Sequence, residues 1–127
     1  MSSQVAILYV EDDAIVREIM RSLIQARYPE LVVHAAGSAE QGLELFTEYR
    51  HAIIVTDINL GGTDGIQMAR TIRKLKPEAA IIFITGSPDV GRFAEFGNGA
   101  FCSHICKPVM YDDLFALIDS SLETVAG

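Results

Sequence analysis

Residues 53–65 read IIVTDINLGGTDG. Three β-branched residues, Ile53–Val55, run without a polar interruption into Thr56-Asp57, and a glycine-rich turn then leads into an amphipathic segment. A short, wholly apolar run predicts a strand covered on both faces, because a strand with one wet face alternates. The segment after the turn places Ile66, Ala69, Ile72 and Leu75 at helical spacing, facing inward, and Pro77 closes it. Asp64-Gly65 reads as turn chemistry, with glycine supplying a positive φ and no catalytic part.

The same grammar repeats on either side. Val5–Val10 (VAILYV) is an apolar strand that meets Glu11-Asp12-Asp13. Ala14–Arg27 is a helix with Ile15, Ile19, Leu23 and Ile24 inward, ended by Tyr28-Pro29. Leu31–Ala36 is a strand, and Ser38 is the N-cap of a helix whose apolar face is Ala39, Leu43 and Phe46. Ala79–Ile84 is the most apolar strand and stops at Thr85-Gly86. Phe101–Cys106 is the fifth strand, ended by Lys107-Pro108, and Met110–Val125 is a last helix. Asp112 and Asp113 serve that helix's N-terminal dipole. Strands alternating with helices, and no repeat or linker, predict one α/β domain over residues 1–127 with a parallel sheet between helix layers.

Composition agrees. A chain of 127 residues with 50% hydrophobic and 21% charged residues can bury its own core. Ten Lys and Arg against 17 Asp and Glu, net −7, argue against nucleic acid or an anionic membrane as the domain's partner. No apolar run approaches the length of a membrane span. Cys102 and Cys106 lie four apart on a strand, about 13 Å at about 3.3 Å per residue, too far for a disulfide. Reduced thiols predict a cytoplasmic protein.

In an open parallel sheet the site lies at the carboxyl ends of the strands. Those ends carry Glu11-Asp12-Asp13, Asp57, Thr85 and Lys107. Carboxylates gathered at one edge repel one another unless protonated or joined by a cation, and a few oxygen ligands suit Mg²⁺. A metal among acids with a hydroxyl and an ammonium nearby is an arrangement for handling phosphoryl groups. On V-E-D-D (10–13), V-T-D-I-N-L-G-G-T-D-G (55–65), I-T-G-S (84–87) and K-P (107–108), in order and each at a strand end, the chain resembles the receiver domain of two-component response regulators.

The resemblance implies a flavodoxin-like doubly wound sheet in order 2-1-3-4-5 with five helices. It implies that Asp57 accepts a phosphoryl group from a histidine kinase or phosphotransfer protein. Asp12 and, through water, Glu11 would hold Mg²⁺ with Asp57 and the Asn59 backbone carbonyl. Lys107, its ammonium aimed at the site by a cis Lys107-Pro108 bond, would pair with the phosphoryl oxygens. Thr85 would report the event, switching the face from strand four to helix five for a downstream effector. Asp13 is a spare acid at the rim. Such a domain phosphorylates itself and slowly loses the group, with no separate substrate, so it is not an enzyme in the usual sense. The chain could stand alone, belong to a hybrid kinase, or form the front of a longer regulator.

Three departures from the family pattern stand out. His104 occupies the place of a switch aromatic, which predicts either a pH-coupled output face or a histidine packed under helix four. Gly91, Gly97 and Gly99 predict that helix four, within 90–99, is short or irregular. Gly61 replaces a common proline, predicting a looser loop. Asn59 and Ser87, two beyond Asp57 and Thr85, leave room for an attacking water but add no charge. Cys102, His104 and Cys106 share a strand face too extended to converge on zinc, so they read as buried core residues. Two other functions compete: a dehalogenase-like aspartyl phosphohydrolase, whose D-x-D pair is missing here, and a receiver-like interaction module that is not phosphorylated. A flavodoxin-like cofactor binder is disfavoured because the acids after strand one would repel a flavin phosphate.

Overall fold

Asp13, Ser38 and Asp64 each stand one residue ahead of a helix and accept backbone N–H groups that a first turn leaves unpaired. Asp13 Oδ1 takes Ile15 and Val16 N–H at 2.9 and 3.0 Å. Ser38 Oγ takes Gln41 N–H at 3.1 Å, and Asp64 Oδ1 takes Ile66 N–H at 2.8 Å. These caps open α1 (Ala14–Arg27), α2 (Ala39–Tyr49) and α3 (Gly65–Leu75). A fourth helix, α4 (Tyr111–Ala126), carries Asp112 and Asp113 in its first turn, as expected. The computed structural model describes residues 5–61, 63–86, 95–97 and 101–126.

Five strands pair in parallel in one sheet: β1 (Ala6–Val10), β2 (Val32–Ala36), β3 (Ile53–Asp57), β6 (Ala80–Thr85) and β7 (Cys102–Cys106). Between β3 and α3 a ribbon of two short antiparallel strands, β4 (Asn59–Leu60) and β5 (Thr63–Asp64), was not foreseen. The order is β2-β1-β3-β6-β7, which is the expected 2-1-3-4-5 once the ribbon is set aside. Two cores flank the sheet. Leu8, Val10, Ile54, Ile81 and Phe83 pack with Phe46, Met68 and Ile72 of α2 and α3. Ile7, Tyr9, Ile53, Val55, Ile82 and Ile84 pack with Met20 and Ile24 of α1 and Leu114 and Ile118 of α4. Each such side chain stabilises the fold by about 1.5–3 kcal/mol, so this layering outweighs any local preference.

Four expectations need correction. In α1 the inward face is Met20 and Ile24, while Ile15 and Ile19 are 74% and 51% exposed. The helix carries two apolar stripes. The Asp13 cap and the short link from β1 set its phase, which periodicity alone leaves open. Leu75 is half exposed, and Met68 takes an inward place instead. Of Cys102, His104 and Cys106 only Cys102 is buried, because β7 is an edge strand. Gly65 does not have a positive φ; a Cβ there would lie 2.2 Å from the Asp57 carbonyl oxygen, so glycine is required by closeness.

The expected fourth of five helices falls on residues 90–99, of which 90–94 and 98–99 lie outside the described residues. Glu95 and Phe96 form one tight turn and Gly97 follows at φ 79°. Four helices are therefore present among the described residues.

Candidate functional site

The sheet brings four strand ends to one edge. Asp57 closes β3 and is 3% exposed. Its Oδ1 accepts the Asn59 N–H at 3.1 Å, and its Oδ2 takes the Lys107 Nζ at 2.6 Å. The Lys107-Pro108 bond is cis, as the resemblance implied. The Thr85 carbonyl accepts the Lys107 N–H at 2.8 Å, so the last residue of β6 and the residue after β7 are tied by their backbones. Thr85 itself is buried. The nucleophile candidate and its cation are thus 50 residues apart in sequence and in direct contact in space.

Glu11 is buried just beyond β1, its N–H on the Ala36 carbonyl at 3.0 Å and its Oε2 accepting the Asp13 N–H at 3.1 Å. Burial holds its carboxyl above the usual range, and the neighbouring Asp12 and Asp57 push the same way. The Lys107 ammonium is held above its ordinary value by its bond to Asp57, with Glu11 and Asp12 adding to the effect. Asp12 is exposed, and a Cβ on Gly61 would lie 2.8 Å from its Oδ2. Gly61 has φ 56°, which proline cannot adopt; the glycine serves the ribbon's turn and leaves space beside Asp12.

Two roles escaped the sequence reading. Asp13 is no spare acid but the α1 cap, and the Asx-before-helix signal at Asp13-Ala14 could have revealed it. Arg17 Nη1 donates to the Glu11 and Asp12 carbonyls at 2.9 and 3.5 Å, steadying the acidic turn. No sequence signal pointed to it. Beside the acids lies a cavity of about 400 Å³ lined by Tyr9, Glu11, Met20, Lys107, Val109 and Tyr111, among others.

The acids feel one another without closing on a common point. Among the described residues no three His, Cys, Asp or Glu side chains stand in chelating array. Asp57 faces Lys107, and Asp13 is committed to α1. His104 is exposed on β7, opposite Phe83 in register, and is not part of the acid edge.

The sequence profile of the response regulator receiver domain matches residues 7–119. The chain belongs to that family. It is 28% identical over 102 residues to the probable C4-dicarboxylate response regulator DctR of Bacillus subtilis, covering 80% of this chain and 45% of the relative. It is 24% identical over 121 residues to the cell cycle transcriptional regulator CtrA of Caulobacter vibrioides, covering 95% and 52%. This receiver domain therefore spans about half the length of these curated relatives. Among solved structures it resembles a LuxR-family two-component response regulator from an Aurantimonas species, at 30% identity and TM-score 0.80, covering 95% of this chain and 86% of that one. A CheY-like receiver protein from Methanospirillum hungatei is similar at 25% identity and TM-score 0.81, covering 95% of each chain. The flavodoxin-like fold and the two-component signalling class are thus established for this receiver domain.

Proposed function

We propose that Asp57 of this receiver domain is the phosphoacceptor. The observation that carries the reading is the buried Asp57 carboxylate with Lys107 Nζ 2.6 Å away at the carboxyl edge of the sheet. A carboxylate oxygen attacks the phosphorus of a phosphohistidine. The O–P bond forms, the N–P bond breaks, and its electron pair returns to the imidazole nitrogen, which takes up a proton. Lys107 then follows the negative charge from the carboxylate to the phosphoryl oxygens, and Thr85 donates a hydrogen bond to one of them.

Glu11, Asp12, Asp57 and the Asn59 carbonyl would hold Mg²⁺. The fit rests on the donor chemistry: Glu11 and Asp12 just beyond β1 and Asp57 at the end of β3 offer only oxygen ligands, which suit a hard dication. When bound, the ion neutralises phosphoryl oxygens. Asn59 N–H on Asp57 Oδ1 fixes the carboxylate's orientation. The domain acts without a separate substrate. Its donor is a histidine kinase or phosphotransfer protein, and the exposed Ile15, Val16 and Ile19 beside the acid edge form an apolar surface suited to that partner. A downstream effector reads the face that carries Thr85 and His104. No helix among the described residues is long and apolar enough to cross a membrane, and the free Cys102 and Cys106 accord with a cytoplasmic setting. The acidic balance argues against nucleic acid as a ligand of residues 1–127 taken as a single domain.

Incubation with Mg²⁺ and acetyl phosphate, followed by intact mass measurement, tests the assignment. One phosphoryl adduct is expected, absent in Asp57→Asn. Its absence in the wild type leaves the domain as an unphosphorylated interaction module. Sustained hydrolysis of the donor without an adduct favours the phosphohydrolase reading.

A further inference from the structure

The turn from β1 into α1 carries Glu11 and Asp12, and its backbone is gripped from two sides. The Glu11 N–H bonds the carbonyl of Ala36, the last residue of β2, at 3.0 Å. The Glu11 carbonyl accepts Arg17 Nη1 at 2.9 Å, and the same nitrogen lies 3.5 Å from the Asp12 carbonyl. Arg17 stands in the first turns of α1, shortly after the Asp13 cap, and its side chain folds back toward the helix N-terminus. A guanidinium is a planar, permanently charged donor, and its bond to a carbonyl is stronger than one between neutral groups.

A neighbouring glycine makes the room. A Cβ on Gly37, the residue after Ala36, would lie 2.7 Å from Arg17 Nη1 and 3.2 Å from its Cζ. Gly37 does not have a positive φ, so its backbone is open to alanine. What an alanine meets there is the far end of one flexible side chain, so the glycine serves the seat of Arg17 and not the fold. The link from β2 to α2 is itself fixed, with the Gly37 N–H on Gln41 Oε1 at 2.7 Å and Ser38 capping α2. The guanidinium thus lies between the acid-bearing turn and a second, ordered connection.

We propose that Arg17, seated against Gly37, is a positioning residue for Mg²⁺: it holds the Glu11 and Asp12 carbonyls so that the two carboxylates leave the turn in a fixed direction. This role rests on the metal reading given above for Glu11, Asp12 and Asp57. It adds a residue that touches neither the ion nor the phosphoryl group. Two effects of Arg17 oppose each other. Its positive charge beside the acids repels a dication, whereas its hydrogen bonds remove the freedom of the ligands to turn away. The sign of the change in Mg²⁺ affinity on removing the side chain decides which effect wins.

The protein is titrated with MgCl₂ at constant ionic strength, without a phosphodonor, and the Glu11, Asp12 and Asp57 amide resonances are followed by NMR. Arg17→Ala should raise half-saturation about tenfold, a loss typical of removing a group that orients metal ligands. Gly37→Ala displaces the guanidinium without removing it and should raise half-saturation about threefold. In the double variant the loss should be no greater than in Arg17→Ala alone, because the added methyl group then has nothing to displace. In the magnesium-free protein the Asp13 amide, held by Glu11 Oε2 at 3.1 Å, should exchange severalfold faster in Arg17→Ala. Half-saturation that falls in Arg17→Ala overturns the proposal in favour of a pure charge effect. An unchanged value with a lower urea midpoint overturns it too, since Arg17 would then be structural only. Additive losses in the double variant overturn the seat at Gly37. If the wild type shows no saturable shift, the metal reading fails and the positioning role falls with it. If Arg17→Ala does not fold, Gly37→Ala and Arg17→Lys, which keeps the charge but loses the fork, carry the same comparison.

Discussion

Two connections leave the same edge of the sheet and are held in different ways. The one after β3 is fixed mostly by backbone: Ile58 N–H on the Ile84 carbonyl at 3.1 Å, Gly65 N–H on the Ile58 carbonyl at 2.7 Å, and the β4–β5 ribbon between them. The one after β6 is described at Glu95–Gly97 and Phe101, where Arg70 and Arg73 of α3 bond the Glu95 carboxylate and the Phe96 and Phe101 carbonyls and the Ile81 N–H bonds the Phe101 carbonyl at 3.0 Å. A backbone-paired loop keeps its shape as long as the sheet exists, which suits a carboxylate that must present one oxygen in one direction. Side-chain contacts such as those of Arg70 and Arg73 can be exchanged for water without unmaking the sheet. The first connection follows the proposed phosphoacceptor, and its backbone pairing sets that carboxylate's direction.

Four measurements bear on that contrast. The largest effect is expected at Gly65→Ala, where the new Cβ meets the Asp57 carbonyl oxygen at 2.2 Å. A shift of backbone in the fixed connection should cost about 3 kcal/mol in urea unfolding and sharply slow phosphorylation. If Gly65→Ala is neutral, the first connection is no more rigid than the second.

A reference away from both connections comes next. Buried His51 bonds His34, ring nitrogen to ring nitrogen, at 2.9 Å, and its Nδ1 has no partner among the described residues. Burial, then His34 and Lys76, lower its pKa to about 4 from 6.5. The unfolded chain therefore binds this proton first. Its contribution is whole above pH 6.5, falls as the pH drops toward 4, and levels off below that. The loss is about 3 kcal/mol. Urea midpoints between pH 7 and 4 should fall less steeply in His51→Phe than in the wild type, and parallel curves would refute the assignment.

Gly61→Ala combines a left-handed backbone with a Cβ 2.8 Å from Asp12 Oδ2. It should destabilise by about 1 kcal/mol and raise the Mg²⁺ concentration needed for phosphorylation severalfold. The smallest effect is that of Glu95→Gln on stability. An exposed ion pair should leave the unfolding midpoint unchanged. A stability loss there as large as that of Gly65→Ala would erase the distinction between the two connections.

Much of the frame was legible beforehand. The apolar runs 5–10, 53–55 and 79–84 are strands because a residue buried on both faces of a sheet has no choice but to be apolar, and that constraint is local. The acids, threonine and lysine at strand ends were legible for the same reason: the rule that sites lie at carboxyl ends needs only strand boundaries. What escaped were matters of phase and proximity. Ile15 and Ile19 pass for core residues until the Asp13 cap rotates α1. His104 and Cys106 pass for buried residues until β7 proves to be the sheet edge.

By itself, then, the amino-acid order determined the five strands of the main sheet, the four described helices and the residues at the strand ends, though not the β4–β5 ribbon, because hydrophobic period and caps act within a few residues. Tertiary structure alone decided that Lys107 meets Asp57, that Gly65 lacks a side chain to make room for Asp57, and that Arg73 binds carbonyls of Ala79, Phe96 and Phe101. Those contacts join residues up to 50 apart along the chain, and only the packing of helices on the sheet sets the distances between them.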